Sequence, residues 1–142
     1  MPRSSAEATP AKEMHARDLT CRSLGIALDE AAPGRAVVSM TATADMVNGH
    51  GIVHGGYLFL LADAAFAFAC NSYGPVTVAQ SAQVMFLRHA EPGDTLVAEA
   101  RERSRIGRAG LYDVTVTRDG EAIAEFRGAS VTLAGNPFAG LT

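Results

Sequence analysis

The stretch Asn48–Asn71, N-G-H-G-I-V-H-G-G-Y-L-F-L-L-A-D-A-A-F-A-F-A-C-N, decides how the rest of the chain is read. Its first third is a glycine-rich turn with Gly49, Gly51, Gly55 and Gly56. The remainder is apolar, and Leu58, Leu61, Ala62, Ala65, Phe66 and Ala69 recur at helical spacing. Phe59, Leu60, Phe68 and Cys70 make the other faces apolar too, so the helix is expected to be covered on all sides by a sheet and a partner subunit. Gly74-Pro75 marks its end near Ser72. Asp63 is the one charge inside it, and no other Asp, Glu, Lys or Arg lies between Asp45 and Arg88. A carboxylate taken from water without a partner is costly, so Asp63 stands out as a candidate catalytic group.

Outward from this stretch the pattern is mostly strand. Residues 36–43 alternate Ala36, Val38, Met40 and Ala42 against Val37, Ser39, Thr41 and Thr43, a half-buried strand. Downstream, strands are expected over 76–86, 95–103, 111–118 and 121–133. Asp119-Gly120 reads as a two-residue hairpin turn, and 105–110 as a basic loop. Residues 26–30 form a short extended piece, and 12–24 an amphipathic helix stopped by Gly25. The expected organisation is a disordered tail at 1–11, one domain over 12–134 and a C-terminal tail at 135–142. Short connections and a single long helix imply an α+β layer with antiparallel strands.

The chain has 142 residues, 48% hydrophobic and 19% charged, with net charge -3. That is the composition of one globular domain without an electrostatic attraction to nucleic acid or an anionic membrane. Two cysteines, Cys21 and Cys70, make no disulfide framework. The first eleven residues lack the apolar run of a signal peptide, and Asp63 interrupts the longest apolar run, so a cytoplasmic protein without a membrane span is expected.

The chemistry follows from spacing. Gly56 and Asp63 are two helical turns apart and share a face. The helix start offers free N–H groups and the positive end of the helix dipole, which suit an oxyanion, and glycine lets a carbonyl come close. Asp63 can then act on a carbonyl carbon or on a water poised over it, an arrangement for acyl transfer. Other readings fit less well. His50 and His54 are four apart, but Gly51 follows His50 where a zinc protease needs Glu, so no metal site is expected. The glycines lack dinucleotide-loop spacing and no βαβ unit surrounds them. Asn48 reads equally as a left-handed turn residue or a functional amide. Phe59, Phe66 and Phe68 read as core, with one or two available to line a site.

N-G-H-G-I-V-H-G-G, L-A-D-A-A-F-A-F-A and C-N-S-Y-G together resemble the signature of the hotdog-fold thioesterases, closest to the phenylacetate-degradation (PaaI-type) subgroup. F-L-R at 86–88, P-G-D-T-L at 92–96, Y-D-V at 112–114 and E-F-R-G at 125–128 extend the resemblance over Gly25 to Leu133. It implies a hotdog fold: an antiparallel sheet wrapped around one long central helix, dimers with two interfacial sites, and dimers pairing into a homotetramer. The implied substrate is an acyl-CoA, phenylacetyl-CoA or a ring-hydroxylated relative, with no cofactor beyond the coenzyme A of the substrate. By motif position Asp63 is the nucleophile or general base, the Gly55 N–H the oxyanion donor with His54 beside it, and Asn48 a group orienting water or thioester from across the interface. Gly56 borders the substrate, and Arg105 and Arg108, with Arg103 near them, are candidates for the coenzyme A phosphates. Ala64 departs from the Thr or Ser expected there in several relatives. A hotdog enoyl-CoA hydratase and a non-catalytic acyl-CoA-binding module are the alternatives.

Overall fold

A computed structural model describes residues 9–138. Two short helices, α1 (Pro10–Arg17) and α2 (Leu19–Leu24), precede strands β1 (Ala27–Ala32) and β2 (Arg35–Thr41). A single 3₁₀ turn at Ala44–Met46 and the glycine-rich loop lead into α3 (Gly55–Cys70). Four strands follow: β3 (Thr77–Phe86), β4 (Thr95–Ile106), β5 (Ala109–Arg118) and β6 (Glu121–Thr132). They form one antiparallel sheet in the order β1-β2-β4-β5-β6-β3, curved around α3. This is the expected hotdog architecture, with β3 crossing over to the far edge. Among the described residues no helix is long and apolar enough to cross a membrane.

The core lies between α3 and the concave face of the sheet. Leu61, Phe66 and Phe68 from the helix meet Val38, Leu96, Val114, Val116, Ile123 and Phe126, all almost wholly buried. Burying each such large side chain contributes about 1.5–3 kcal/mol. The strands place alanine at the centre of that face (Ala36, Ala98, Ala100, Ala124), so the helix can approach closely. The predicted alternation over 36–43 holds except at Val37: Ala36, Val38, Met40 and Ala42 are at most 2% exposed, and Val37 on the opposite face is buried as well.

Four local expectations are corrected. The single helix over 12–24 is two helices, because Asp18 leaves the helical region (φ -83°, ψ 96°) and its carboxylate accepts the Cys21 N–H at 2.9 Å, capping a new start. The tail over 1–11 lies mostly outside the described residues, and its last two residues, Pro10 and Ala11, begin α1, with Thr9 as N-cap. The extended piece at 26–30 is a full sheet strand, β1, which pairs along β2. The basic loop at 105–110 is instead a tight hairpin: Arg105 and Ile106 still pair in β4 with Gly110 and Ala109 of β5, leaving only Gly107 and Arg108 to turn. Asp119-Gly120 does form its hairpin with positive φ at both residues, 52° and 78°.

The two faces left open position the site. β3 is an edge strand of ten residues, T-V-A-Q-S-A-Q-V-M-F, without a charge or a proline. Residues 79–83 are exposed in succession, so neither face of the strand is covered there. On α3, Gly56, Leu60, Asp63 and Ala67 lie at i, i+4, i+7 and i+11, and each is partly or fully exposed. In one chain the helix, expected to be covered by the sheet and a partner subunit together, keeps one uncovered stripe, and the carboxylate sits on it.

Candidate active site at the start and middle of the long helix

The loop before α3 is held by its own backbone. Val47 bridges Val53, the His54 N–H donates to the Met46 carbonyl at 2.8 Å, and the Val53 N–H donates to Ala90 at 2.8 Å. Asn48 anchors the turn: its side-chain oxygen accepts the His50 N–H at 2.9 Å, and its N–H donates to the Ile52 carbonyl at 2.8 Å. Asn48 does not take the left-handed conformation, since Asp119 is the only non-glycine with positive φ among the described residues. It is an Asx turn instead. Its amide nitrogen makes no protein hydrogen bond among the described residues.

His54 is the N-cap of α3, exposed, and places no side chain over the helix end. Gly55 and Gly56 are the first two helical residues, and their N–H groups find no acceptor among the described residues. An uncapped helix start with two free donors and the positive dipole end favours a negative oxygen. Glycine at 55 has a packing cause that spacing did not suggest. A Cβ there would stand 2.9 Å from Cζ of Phe86, whose ring tip abuts the helix start. Gly56 has nothing within 4 Å of such a Cβ.

Asp63 is half-buried, and among the described residues it has no hydrogen bond or ion pair. Burial raises its carboxyl above the ordinary value of 3.8. Cys70, one turn below the stripe, is 4% exposed and its thiol is pushed up to about 12, first by burial and further by the Asp63 charge. It is therefore a neutral packing residue and not a nucleophile. Ala64, beside Asp63, is buried at 7% exposure and supplies no hydroxyl.

Gly56 and Asp63 share a face of the helix, as their spacing predicts, but within one chain Asp63 lies well along the axis from its own helix start. Gly55 and Asp63 are eight residues apart in a regular helix, about 12 Å along the axis at 1.5 Å per residue. Reacting atoms must come within about 3–3.5 Å. The backward tilt of the side chain does not close that gap.

Asn48, His54, Gly55 and Gly56 therefore cluster at one pole, with Asp63 at mid-helix. Arg105 and Arg108 lie at the other pole. Arg105 stacks 3.5 Å over the Tyr73 ring just past the end of α3, and its Nε is 3.8 Å from Glu102. With Arg108 it borders a cleft of about 360 Å³ that also holds Cys70, Thr77, Tyr112, Ser130 and Thr132. A second groove, of about 680 Å³, lies on the outer face of the sheet among Glu99, Arg101, Arg103, Asp113 and Arg127. Neither concavity is lined by Asp63 or Gly55. Among the described residues no cluster of three His, Cys, Asp or Glu could hold a metal ion.

Sequence reasoning missed two supports. Phe86 was legible only as part of F-L-R, with nothing to place it against Gly55. Asn71 ties the end of α3 to β3, donating to Ala67 and Thr77 carbonyls at 2.8 and 2.9 Å and accepting the Thr77 N–H at 2.9 Å. Its position after an apolar helix and before Gly74-Pro75 was the available signal.

Comparison with known proteins accords with this geometry. Residues 50–125 match the thioesterase superfamily. The acyl-coenzyme A thioesterase PaaI of Escherichia coli is 44% identical over 126 residues, covering 88% of this chain and 90% of the relative. The structure of the E. coli PaaI protein from the phenylacetic acid degradation operon superposes with a TM-score of 0.87 at 43% identity, over 89% of this chain and 93% of that one. A variant of the phenylacetic acid degradation protein PaaI from Thermus thermophilus superposes at 0.79 with 38% identity, over 82% and 100%.

Proposed function

The chain belongs to the thioesterase superfamily and is an acyl-CoA thioesterase of the PaaI type, and from that premise we propose that it hydrolyses aryl-acyl-CoA thioesters at sites shared between two protomers. The substrate class is phenylacetyl-CoA or a ring-hydroxylated relative, as for the phenylacetate-degradation relatives it resembles. The observation that carries the reading is Asp63: a half-buried carboxylate without a partner among the described residues, on the same open stripe as Gly56 and below the free N–H groups of Gly55 and Gly56.

The uncharged, uncovered β3 edge pairs with the same edge of a second copy. An antiparallel pairing about a twofold axis runs the two α3 helices past each other in opposite directions. The helix start of one protomer then faces the partner subunit's Asp63, which closes the axial gap of about 12 Å that one chain leaves open. The same arrangement brings the Arg105–Arg108 pole of one protomer beside the Asn48 loop of the other, where the phosphates of coenzyme A need cations. Dimers pair further into a tetramer.

In the reaction the thioester oxygen is held by the Gly55 N–H, with the dipole of α3 behind it, and gains negative charge as the carbonyl carbon becomes tetrahedral. The Asp63 carboxylate either attacks that carbon or removes a proton from a water that does. In the first case the C–S bond breaks to give a mixed anhydride and coenzyme A thiolate, and water then cleaves the anhydride to the free acid. In the second, water oxygen forms the new C–O bond and the thiolate leaves with the proton returned from Asp63. A raised carboxyl pKa suits the base role, because it makes the carboxylate a better proton acceptor. The Asn48 amide nitrogen, without a hydrogen bond among the described residues, orients the water or the thioester, and His54 stands beside the oxyanion donor.

The test is thiol release from phenylacetyl-CoA by mixed oligomers. Asp63→Asn and Gly55→Pro are each inactive alone. After denaturation and joint refolding, random pairing of equal amounts gives heterodimers with one intact site each, restoring about a quarter of wild-type sites. Failure to restore activity, with mixed oligomers demonstrated by mass, would place both groups in one chain and overturn the shared site.

A further inference from the structure

We propose that Phe86 is the residue that selects a flat aromatic acyl group, by walling the space next to the oxyanion donor. The inference rests on the acyl-CoA reading above and adds a specificity residue to it.

Phe86 ends β3, opposite Ala124 of β6. Its ring points its tip, not its face, at the start of α3: the Gly55 Cβ position lies 2.9 Å from Cζ and 3.2 and 3.3 Å from the two Cε atoms. The ring thus occupies the space a side chain at 55 would take, yet Phe86 remains 50% exposed. Half of the residue thus stays accessible beside a free N–H group. An acyl carbonyl bound to that N–H extends its substituent along the ring. A planar aromatic substituent can stack offset or edge-on against it, whereas a straight alkyl chain presents no face to match. Tyr57, Phe59 and Leu60 on the first turns of α3 are partly exposed apolar side chains packed against the core. Gly55 and Phe86 act as a pair: the far end of a half-exposed side chain can swing away, so Gly55→Ala is expected to fold but to displace the ring.

The experiment compares phenylacetyl-CoA with hexanoyl-CoA in wild type, Phe86→Leu, Gly55→Ala and the double variant. Phe86→Leu is expected to lower kcat/KM for the aromatic substrate about tenfold and for hexanoyl-CoA less than about threefold, the difference expected of one lost aromatic contact. Gly55→Ala lowers both rates but shifts the aromatic-to-alkyl ratio in the same direction, and the double variant shifts it no further. Equal losses on both substrates, or additive ratio shifts, overturn the proposal. Calorimetric binding of phenacyl-CoA and acetonyl-CoA, thioethers that cannot be hydrolysed, separates it from the parent reading. Preference for phenacyl-CoA lost in Phe86→Leu supports the wall even without turnover. Unchanged preference, or no binding of either probe, refutes it.

Discussion

Replacing Asp63 by Asn separates the cost of the carboxylate from its use. In the folded chain the group is half-buried, has no partner among the described residues, and its carboxyl pKa is raised by burial above 3.8. Leaving a buried polar or charged group unsatisfied costs about 1–3 kcal/mol, and the neutral amide recovers part of it, so Asp63→Asn should stabilise the protein by about 1 kcal/mol at pH 7. In a domain of this size that is a rise of about 3–5 °C in Tm. The sign has a pH signature. A carboxyl whose folded pKa is raised binds its proton more readily in the native state. The wild type is therefore not handicapped below 3.8, where both states are protonated, and loses ground as pH climbs through the higher folded value. The variant's advantage should be full at pH 7 and gone by about pH 3.5, measured as paired melts at one protomer concentration. Over the same substitution kcat should fall by about 10²–10⁴, the loss of a general base, with thiol release as the assay. A variant that melts lower than wild type at pH 7 would mean that Asp63 has a structural partner, and one that keeps its turnover would remove the group from the chemistry.

Three further outcomes are expected. Ser81→Lys, a charge at the middle of the β3 edge, should give a monomer by sedimentation and lose thiol release with it, whereas a full-size active oligomer would exclude β3 pairing. Gly120→Val, at φ 78° in the β5–β6 hairpin, should destabilise by about 1–2 kcal/mol in urea unfolding while the activity of the folded fraction is unchanged. Wild-type kcat should rise with pH on its acid limb through a value above the ordinary 3.8 of a carboxyl, and a limb at or below 3.8 would contradict the burial of Asp63.

Periodicity made the elements legible, because long amphipathic or apolar runs leave few alternatives. The helix at 55–70, the alternation of β2 and the Asp119-Gly120 turn follow from local patterns. What was illegible depends on single side chains or on distance. Asp18 divides one helix into two through a single 2.9 Å cap, which helical spacing alone does not show. The strand β4 runs through Arg105 because cross-strand pairing with Gly110 outweighs the low strand propensity of a charged, glycine-flanked segment. At the site, the lone charge of Asp63 and the glycines before it were visible in the composition of one stretch. The contact between Gly55 and Phe86 was not, since 31 residues and a crossover separate them in sequence.

The features that look unfavourable in one chain have a common explanation in two. An uncharged edge strand of ten residues invites pairing, an apolar helix leaves a stripe open, and a carboxylate on that stripe lacks a partner among the described residues. A globular monomer would mask the edge with lysine or proline and keep the stripe polar. Here neither is done. The helix start that can stabilise an oxyanion has no carboxylate in reach, and the carboxylate that can act as base has no oxyanion donor. In the proposed dimer each deficiency would be met by the other group across a twofold axis. The Asp63→Asn and Gly55→Pro mixture measures this directly, since recovery from two inactive parents requires that a site draw on both chains.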